Sequence, residues 1–428
     1  MLHKWIYKLG MERRNPSLAP YLDFLMKSDK WTLSALEDYQ LEKCKQLCIF
    51  ASKHSPFYRR RFEEVGFKPE KMQSVSDLSV LPLLGKDDLR VHHDEIAAQY
   101  SFRTVTLAET SGTSGQPLSF YRNEEWDSHN RAAMFRGYAW YGVNPWDKNG
   151  YFWGYNIDKS QRWKTMVLDG LQNRFRLFDY DEQHIRRFVE RLKGATFVSG
   201  YSSMIYEVAK MINELGISHK FGLRMVKGTS EKIYPSYQEE VLKAFGRKMI
   251  SEYGSCESGL IAYECPEGGY MHINMENVVV EEVDGEMVVT NLLSRSFPII
   301  RYRLGDLVRL APRSFRCPCG REHPVLLDVM GRVGKKVVGK QKNYPSLTFY
   351  YVFKNLLLTR RISLNYQAVQ ERAGHILLRI EQDRPELQPY VEAELKRYFS
   401  DDLEVDIRWG ESLHAMDGKL RDFITHIQ

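Results

Sequence analysis

Helical and strand-like stretches alternate between Asp181 and Tyr253, and this alternation constrains the fold more than any other feature of the chain. Apolar side chains first recur at helical spacing, at Ile185, Phe188, Val189 and Leu192. The segments that follow are alternately strand-like and helical: Thr196–Ser199, Ser203–Leu215, Leu223–Val226, Tyr237–Phe245 and Lys248–Ser251. Strands and helices that alternate over short connections predict a parallel β-sheet covered by helices.

A polar, glycine-containing loop follows each of the three predicted strands. These loops are Gly200–Ser203, Gly228–Glu231 and Gly254–Glu257. The carboxyl ends of parallel strands lie at one edge of a sheet, and the ligands of such sheets bind beyond that edge. We therefore expect the three loops to face one crevice.

After Asn277 the sequence becomes rich in strand-like segments. Val278–Val283 and Glu286–Thr290 flank Asp284-Gly285, which is a two-residue hairpin signal. The last part of the chain then predicts a helix at 346–358, two strands that begin at Ile362 and His375, a second helix at 389–399 and a further strand at 403–408. Together they make a small α+β unit. The predicted fold class is α/β: a large N-terminal α/β domain, with parallel sheet layers and a β-rich segment, followed by a small C-terminal α+β domain.

The composition excludes several classes of protein. Lys and Arg number 61 and Asp and Glu 55, so the formal charge of +6 is mild for 428 residues. The basic residues are scattered and no stacking motif for bases is present, so we expect no nucleic-acid partner. No apolar run approaches the roughly 18 residues of a membrane helix, so we expect no membrane span. Six cysteines do not make a disulfide scaffold, and the first residues lack a signal-peptide pattern, so we expect a cytoplasmic protein.

Thr110–Pro117 is the most informative short segment. Four hydroxyl side chains and two glycines fill its first six positions: Thr110, Ser111, Gly112, Thr113, Ser114 and Gly115. Glycines allow a backbone to approach an anion, and hydroxyl and amide groups donate hydrogen bonds to its oxygens. The segment is therefore a candidate phosphate loop, and a polar surface loop with the same composition is the alternative.

This segment resembles the phosphate loop of adenylate-forming enzymes, the superfamily of acyl–CoA synthetases, with Gln116 where lysine is frequent. Four further motifs of the superfamily follow in its order: Tyr253–Glu257, Tyr302–Asp306, Gly331-Arg332 and Asp417–Arg421. Two positions depart from the family pattern. Cys256 stands in place of threonine, and Val333-Gly334-Lys335 stands in place of the acidic residues that follow Gly331-Arg332. The resemblance spans nearly the whole chain, and five ordered motifs are far more specific than one.

The N-terminal part narrows the resemblance. Ser55–Tyr58, Val75–Leu78 and Leu81-Pro82 are similar to the start of the phenylacetate–CoA ligase-like group, which includes ligase-like proteins linked to capsular polysaccharide synthesis. The resemblance implies an enzyme that uses ATP and Mg²⁺ to activate a small-molecule carboxylic acid as acyl-AMP. Such an enzyme releases pyrophosphate and then transfers the acyl group to an acceptor.

The resemblance also implies roles for individual residues. Thr110–Gly115 would wrap the ATP phosphates, and Glu257 would hold Mg²⁺, to which a carboxylate is suited. Gly228, Thr229, Ser230 and Glu231 would line the adenine, and the Tyr253 ring would stack on it. Asp306 would bind the ribose, and Arg332 would lie near the ribose and phosphate. The candidate substrate-binding residues are Tyr151, Tyr201, Gly254 and Ser255.

Lys419 is the candidate catalytic residue. The resemblance puts it on a small mobile domain, residues 332–428, that follows an adenylation domain, residues 1–331. A flexible ammonium group can reach both the substrate carboxylate and the α-phosphate and stabilise the charge that develops between them. The small domain would then rotate about the segment near Arg332 and withdraw Lys419. A surface lysine in a basic tail is the alternative.

Cys265, His272, Cys317 and Cys319 form a second candidate site. Three thiols and an imidazole can hold a structural Zn²⁺, although the single residue between Cys317 and Cys319 is a tighter spacing than usual. His323 is a competing ligand, and reduced thiols without a metal are the alternative.

The sequence does not identify the carboxylic acid that is activated or the acceptor of the acyl group. Aromatic residues at Tyr151–Tyr155 and Tyr201 suit a pocket for an aryl or hydrophobic acid, but aromatic residues fill cores more often than pockets. CoA is the acceptor that we expect first. The alternatives are an ATP-dependent amide ligase that joins a sugar acid or amino acid to an amine in polysaccharide biosynthesis, and a catalytically inactive nucleotide-binding scaffold.

Overall fold

The computed structural model describes residues 2–110, 118–152, 159–178, 182–217, 221–332, 336–413, 415–416 and 419–427. The α-helices of these residues are α1 (Leu2–Arg14), α2 (Leu18–Ser28), α3 (Leu33–His54), α4 (Pro56–Glu64), α5 (Lys86–Val91), α6 (His93–Ile96), α7 (Glu124–Trp140), α8 (Lys159–Leu171), α9 (Glu182–Leu192), α10 (Ser202–Glu214), α11 (Pro235–Phe245), α12 (Leu347–Arg360) and α13 (Gln388–Phe399). The strands are β1 (Val105–Glu109), β2 (Ser119–Asn123), β3 (Asn149–Phe152), β4 (Arg174–Arg176), β5 (Phe197–Tyr201), β6 (Met225–Thr229), β7 (Met249–Ser255), β8 (Gly259–Glu264), β9 (Met271–Ile273), β10 (Val278–Val283), β11 (Glu286–Asn291), β12 (Tyr302–Leu310), β13 (Val325–Arg332), β14 (Lys336–Val338), β15 (Asn343–Pro345), β16 (Tyr366–Arg372), β17 (His375–Ile380), β18 (Glu404–Trp409), β19 (Ala415–Met416), β20 (Lys419–Leu420) and β21 (Phe423–Thr425).

Eleven of these strands form one mixed sheet in the order β10-β11-β12-β13-β9-β8-β7-β6-β5-β3-β4. The pairings from β4 to β7 are parallel, and those from β7 to β10 along this order are antiparallel. Helices α9, α10 and α11 connect the parallel strands, as the alternation in the sequence predicts. The α/β fold class, with a β-rich segment and a smaller C-terminal α+β part, is confirmed.

Strands β6 and β7 extend past their predicted ends. Gly228 pairs with Ser251 and Thr229 with Glu252, so the hydrogen-bonded ladder continues into segments predicted as loops. Apolar runs mark the part of a parallel strand that is buried on both faces. Polar residues at its carboxyl end therefore do not reveal from the sequence alone where the pairing stops.

The hairpin predicted around Asp284-Gly285 is formed by β10 and β11, with Val283 opposite Glu286. Asp284 and Gly285 have φ angles of 53° and 77°. Both lie in the left-handed region that a two-residue type I′ turn requires, and this turn matches the twist of the strands on either side.

A four-stranded sheet in the order β18-β17-β16-β21, packed with α12 and α13, forms the C-terminal part. Its first strand begins at Tyr366 and not at Ile362 as predicted. Arg361 ends the preceding helix with a left-handed φ of 59° and donates its N–H to the carbonyl of Leu357. β13 ends at Arg332, beside the proposed domain boundary, which stays a prediction.

Aromatic side chains join the C-terminal part to helices α10 and α11. The ring centroid of Tyr234, the residue directly before α11, lies 6.3 Å from that of Tyr366 on β16 and 5.3 Å from that of Tyr237 on α11. The Tyr237 ring in turn stacks on Tyr206 of α10, with 4.2 Å between the centroids. These residues belong to one continuous apolar core that also includes the parallel strands. The small sheet therefore packs on the helices that cover the large one.

A buried ion network joins the N-terminal helices to the β-rich segment. Arg136 on α7 donates to Glu276 at 2.7 Å, and His323 Nε2 lies 3.1 Å from the same carboxylate. The Ser28 hydroxyl of α2 donates to it as well. Burial alone would raise the pKa of Glu276, but Arg136 and His323 hold that pKa well below its ordinary value. Among the described helices, none is both long and apolar enough to cross a membrane.

A pH dependence of stability follows from the contact between α2 and α7. His129 stacks on Tyr21 with ring centroids 3.6 Å apart, and burial lowers the pKa of His129 from 6.5 to about 4. The folded chain holds the imidazole neutral, so its contribution to stability is present above pH 6.5 and is lost as the pH falls towards 4. The variant His129→Phe keeps an aromatic ring against Tyr21 but cannot be protonated. Between pH 6.5 and pH 4 we expect its free energy of unfolding to fall by roughly 1–3 kcal/mol less than that of the wild type. Urea titrations at several pH values measure this difference, and parallel curves would contradict it.

Candidate active site

Tyr253 and Asp306 come from two separate sequence motifs and are in direct contact. The Tyr253 hydroxyl donates to Asp306 Oδ2 at 2.6 Å, across a sequence separation of 53 residues. Tyr253 lies on β7 and Asp306 on β12, and the backbone of Asp306 pairs with that of Arg332 on β13. Three candidate nucleotide-binding positions are therefore close together, although β13, β9 and β8 separate β12 from β7 in the order of the sheet.

Thr110 lies at the base of the candidate phosphate loop. Its N–H donates to the Leu118 carbonyl and its hydroxyl accepts from the Leu118 N–H, both at 2.9 Å. β1 and β2 lead into and out of the loop as an antiparallel pair. Thr110 and Leu118 therefore hold the two ends of the loop together. The other loop residues of interest lie outside the described residues: Ser111, Gly112, Thr113, Ser114 and Gly115.

Glu257, the candidate Mg²⁺ ligand, lies in the turn after β7. Its side chain is buried, and the Tyr302 hydroxyl donates to Oε1 at 3.4 Å. The neighbouring Cys256 thiol donates to the Glu109 carbonyl at 3.4 Å, and Arg122 donates to the Cys256 carbonyl at 2.5 Å. Because Glu109 is on β1 and Arg122 on β2, the turn that carries Glu257 is tied to both arms of the candidate phosphate loop.

The segment from Gly228 to Glu231 leaves the carboxyl end of β6. A Cβ on Gly228 would lie 2.5 Å from Ser202 Oγ, so the close approach of α10 requires glycine at this position. Ser230 has a left-handed φ of 67°. The Glu231 carboxylate accepts from the Ser203 N–H at 2.9 Å, in the first turn of α10. A carboxylate at this position satisfies a free N–H group and complements the helix dipole, so Glu231 fixes the segment against α10.

Tyr151 and Tyr201 lie near charged groups. The guanidinium carbons of Arg174 and Arg176 are 4.2 Å and 4.9 Å from the centroid of the Tyr151 ring. Tyr201, at the end of β5, is half-buried, and burial, followed by the charge of Glu231, raises the pKa of Tyr201. The surroundings of both rings are therefore partly polar, which the aromatic pattern of the sequence does not predict.

Gly254 and Ser255 end β7 and begin the turn to β8. Ser255 Oγ accepts from the Ser258 N–H at 3.0 Å and lies 2.8 Å from Ser258 Oγ. These bonds close the turn locally. The contacts of Ser255 therefore shape the turn that presents Glu257.

An ion pair beside this site was not predicted from the sequence. Lys227 Nζ on β6 lies 2.7 Å from Glu252 Oε2 on β7, and the Thr229 hydroxyl donates to the other carboxylate oxygen at 3.1 Å. Burial alone would lower the pKa of Lys227, but Glu252 raises it above its ordinary value. The predicted strand ends at Val226, and extending its period-2 pattern would put Lys227 and Thr229 on one face.

Lys419 lies in the short strand β20, whose backbone pairs with β19. The side chains of Lys419 and Arg332 lie outside the described part of the structure. The carbonyl of the nearby Asp422 accepts from the Ala368 N–H at 2.9 Å. Burial, and next the charge of Asp422, raises the pKa of Tyr234. β21, which follows Lys419, pairs with β16, and the ring of Tyr366 on β16 lies 6.3 Å from that of Tyr234, which follows the segment from Gly228 to Glu231.

Cys265, His272, Cys317 and Cys319 form a compact cluster. Their four potential ligand atoms all lie within 4.8 Å of one another. The Cys265 and Cys317 sulfurs are 3.6 Å apart, and Cys319 Sγ is 3.2 Å from His272 Nε2. Zn–S bonds of ~2.3 Å in tetrahedral geometry separate two sulfurs by ~3.8 Å. The cluster therefore has the dimensions of a zinc site.

Neighbouring groups orient the cluster. His272 Nδ1 lies 3.0 Å from the His323 carbonyl. Because a carbonyl can only accept, Nδ1 carries the proton and Nε2 faces the thiols as a lone pair. A Cβ on Gly268 would lie 2.5 Å from Cys317 Sγ, so glycine is required beside that sulfur. His323, the competing ligand, is not part of the cluster, because its Nε2 faces Glu276.

Comparison with known proteins agrees with the motif pattern, although no family model matches the chain. One relative is CapK of Staphylococcus aureus, 21% identical over 332 residues that cover 72% of this chain and 69% of the relative. Another is a phenylacetate–coenzyme A ligase of Thermus thermophilus, 24% identical over 370 residues that cover 79% of each chain. These relatives support the adenylate-forming superfamily that the motifs predict. The fold of the chain matches 2-hydroxyisobutyryl-CoA ligase in the postadenylation state with a TM-score of 0.72 and 19% identity, over 93% of this chain and 91% of that chain.

The relatives are phenylacetate–coenzyme A ligases and CapK, which are the two kinds of protein in the group that the chain resembles. The motif residues Tyr253, Asp306 and Glu257 lie where β7, β12 and the turn after β7 meet. The roles of individual residues stay predictions. The Glu231 carboxylate accepts from the start of α10, and its position beside the adenine stays a prediction.

The ion pair beside the candidate active site leads to a prediction about stability. Lys227 and Glu252 are 5% and 12% exposed, so removing one partner leaves an uncompensated buried charge. We expect Lys227→Met to lower the free energy of unfolding by about 3–5 kcal/mol and Lys227→Met/Glu252→Leu to recover most of the loss. Lys193→Met is the matched control, because its pair with Glu190 has the same 2.7 Å separation but is 48% and 63% exposed.

The control variant should lose no more than about 1 kcal/mol. Chemical denaturation measures all three variants. If Lys227→Met and Lys193→Met lowered the free energy of unfolding equally, burial of the ion pair would not determine its contribution to stability.

Proposed function

We propose that this ligase uses ATP to activate a small carboxylic acid as acyl-AMP, releases pyrophosphate, and transfers the acyl group to the thiol of CoA. The observation that carries the proposal is the 2.6 Å hydrogen bond between Tyr253 and Asp306, with Arg332 paired across from Asp306. Residues that three motifs assign to one nucleotide meet, although they are distant in sequence. Relatives named phenylacetate–coenzyme A ligase support both the activation of an acid and a thiol acceptor.

In the proposed complex, ATP lies across the carboxyl ends of β6 and β7. The Tyr253 ring stacks on the adenine, the Asp306 carboxylate accepts from the ribose hydroxyls, and the loop that begins at Thr110 surrounds the phosphates. Glu257 is suited to hold Mg²⁺, because this hard cation prefers oxygen ligands and retains several waters. The hydrogen bond from Tyr302 supports this role, since it orients the Glu257 carboxylate.

Lys419 would supply positive charge where the substrate carboxylate attacks the α-phosphate. In-line displacement depends on positioning and on stabilisation of developing charge, both of which a mobile ammonium group can provide. The contact of Tyr366 with Tyr234 supports this role, because β21, which follows Lys419, pairs with the strand that carries Tyr366. Rotation of residues 332–428 would then remove Lys419 before the acceptor enters.

The lysine assignment predicts a selective loss of one half-reaction. Lys419→Ala should lower acid-dependent exchange of pyrophosphate into ATP by roughly 100-fold or more and should spare transfer from a supplied acyl-adenylate. Lys396→Ala is the matched control, because Lys396 is an exposed lysine on α13 of the same part of the chain, and it should keep the wild-type exchange rate. Exchange by Lys419→Ala at near the wild-type rate would show that Lys419 is not catalytic.

The wild-type reaction, run with ATP, Mg²⁺ and a panel of acids, also identifies the acceptor. We expect AMP as the nucleotide product and an acyl-CoA when CoA is added. Amide formation with a supplied amine, and none with CoA, would favour a ligase of sugar acids or amino acids. ADP as the product would exclude adenylation, and no nucleotide product with any acid would favour an inactive scaffold.

A structural Zn²⁺ at Cys265, His272, Cys317 and Cys319 is a second part of the proposal. The separations of the four ligand atoms and the orientation of His272 Nε2 support it. The ion would connect the turn after β8 to the segment before β13. Such a closed four-ligand site stabilises the fold and takes no part in the chemistry.

The zinc assignment predicts a metal content. The chain purified without chelator should contain about one zinc per molecule, measured by plasma mass spectrometry, and Cys319→Ala should reduce both the zinc content and the melting temperature. Cys256→Ala is the matched control, because Cys256 is a half-buried thiol outside the cluster, and it should retain zinc. A wild-type content well under one zinc would remove this assignment.

A further inference from the structure

Arg122 connects the candidate phosphate loop to the turn that carries Glu257, the candidate Mg²⁺ ligand. Arg122 lies on β2, the strand that leaves the loop, and its Nη2 donates to the Cys256 carbonyl at 2.5 Å. The same nitrogen donates to Cys256 Sγ at 3.4 Å. One guanidinium group is therefore bonded to the backbone and to the side chain of the residue directly before Glu257.

The Cys256 thiol extends this connection to the other strand of the loop. It donates to the Glu109 carbonyl at 3.4 Å, and Glu109 is the last residue of β1, directly before Thr110. The backbones of Glu109 and Ser119 pair where β1 and β2 meet the loop. Arg122 and Cys256 therefore hold the turn against both strands, and a displacement of either strand strains one of these bonds.

Aromatic packing fixes the guanidinium group of Arg122. Its carbon lies 5.2 Å from the centroid of the Trp126 ring and 6.0 Å from that of Phe120. These two rings stack with 5.4 Å between their centroids, and Phe120 also stacks on Phe297 at 5.2 Å. All three aromatic side chains are buried. Because a cation is attracted to the faces of aromatic rings, the N–H groups of Arg122 reach Cys256 from a rigid base.

The turn is also held from the large sheet. Asn291, at the end of β11, donates from Nδ2 to the Glu257 carbonyl at 2.9 Å, and Tyr302 on β12 donates to the Glu257 carboxylate. Both contacts come from the antiparallel half of the sheet. Loss of the Arg122 side chain would therefore leave the turn attached to the sheet and weaken its attachment to the strands of the loop.

We propose that Arg122 is a positioning residue for Mg²⁺-ATP, which keeps Glu257 in place relative to the loop that surrounds the phosphates. This inference rests on the proposed function of the site. Mg²⁺ takes one or two carboxylates from a protein and its other ligands from phosphates and water, so the ion and the loop must engage one triphosphate together. Groups that orient a metal ligand commonly change metal affinity or activity about 10–100-fold when they are removed. The nucleoside part is assigned instead to Tyr253 and Asp306, on β7 and β12.

Hydrogen exchange of the full chain without nucleotide, measured by mass spectrometry, tests the connection itself. Arg122→Met should speed amide exchange in β1, in β2 and in the turn between β7 and β8, and it should leave exchange in β16 to β18 unchanged. Arg122→Lys keeps the positive charge but not the planar guanidinium. It should give an intermediate rate, and it serves if Arg122→Met fails to fold. Wild-type exchange of the turn in both variants would overturn the proposal.

Nucleotide binding, measured by calorimetry, tests the role in the reaction. Arg122→Met should weaken the binding of Mg²⁺-ATP roughly tenfold or more and leave the Kd for adenosine unchanged. In pyrophosphate exchange it should raise KM for ATP more than it lowers kcat, because it acts through Glu257 and the loop and not on the reacting atoms. Arg59→Met is the matched control, since Arg59 is exposed and donates to the Ser52 and Lys53 carbonyls. This control should bind Mg²⁺-ATP as the wild type does.

Two binding results would also overturn the role of Arg122. One is wild-type affinity of Arg122→Met for Mg²⁺-ATP, and the other is equal weakening of Mg²⁺-ATP and adenosine, which would indicate a general loss of structure. Failure of the wild type to bind any nucleotide would contradict the proposed function and this role with it. Hydrogen exchange would still decide separately whether Arg122 joins the loop to the turn, so the two failures are distinguishable.

Discussion

The candidate active site depends on strand β7, which pairs in parallel with β6 on one side and antiparallel with β8 on the other. Ligands of open α/β sheets bind where the direction of the chain changes, beyond the carboxyl ends of the parallel strands. Successive side chains of a strand point to opposite faces. Glu252 therefore neutralises Lys227 on one side, while Tyr253, the next residue, reaches Asp306 on the other. One strand thus connects the parallel half of the sheet to the β-rich half through two different contacts.

Two networks of buried charges stabilise this connection. Lys227 and Glu252 pair within the parallel half, and Glu276 holds Arg136 and His323 in the antiparallel half. A buried charge costs several kcal/mol in desolvation, and that cost is offset only while its partners stay in place. Alternative packings of these strands would leave one of the charges unpaired. The two networks therefore favour the single register that also brings Tyr253 to Asp306.

Local periodicity allowed the α/β part to be predicted, because α9, α10 and α11 each bury one apolar side whose spacing is visible in the sequence. Strand ends could not be predicted, since the pairing of Thr229 with Glu252 is set by a neighbouring strand. The contact of Tyr253 with Asp306 was accessible only through the resemblance to a family, because no local pattern links residues so far apart. The motif that contains Glu231 did not predict which group its carboxylate contacts in the folded chain. Its bond to the Ser203 N–H is a tertiary contact that a motif does not encode.

The position of the cysteine cluster has a physical explanation in the order of the strands. The strands β10 to β13 join the rest of the large sheet where β13 pairs with β9. The ladder between β9 and β13 has only two residue pairs, Val325 with His272 and Leu326 with Met271. So short a ladder contributes little by itself, and a strand pair of this length is marginal in water. His272 is at once a member of this ladder and of the cluster, and Cys317 and Cys319 precede β13. A metal ion bound there would cross-link this short seam, and its loss would weaken the pairing of β9 with β13, which β12 holds from the other side.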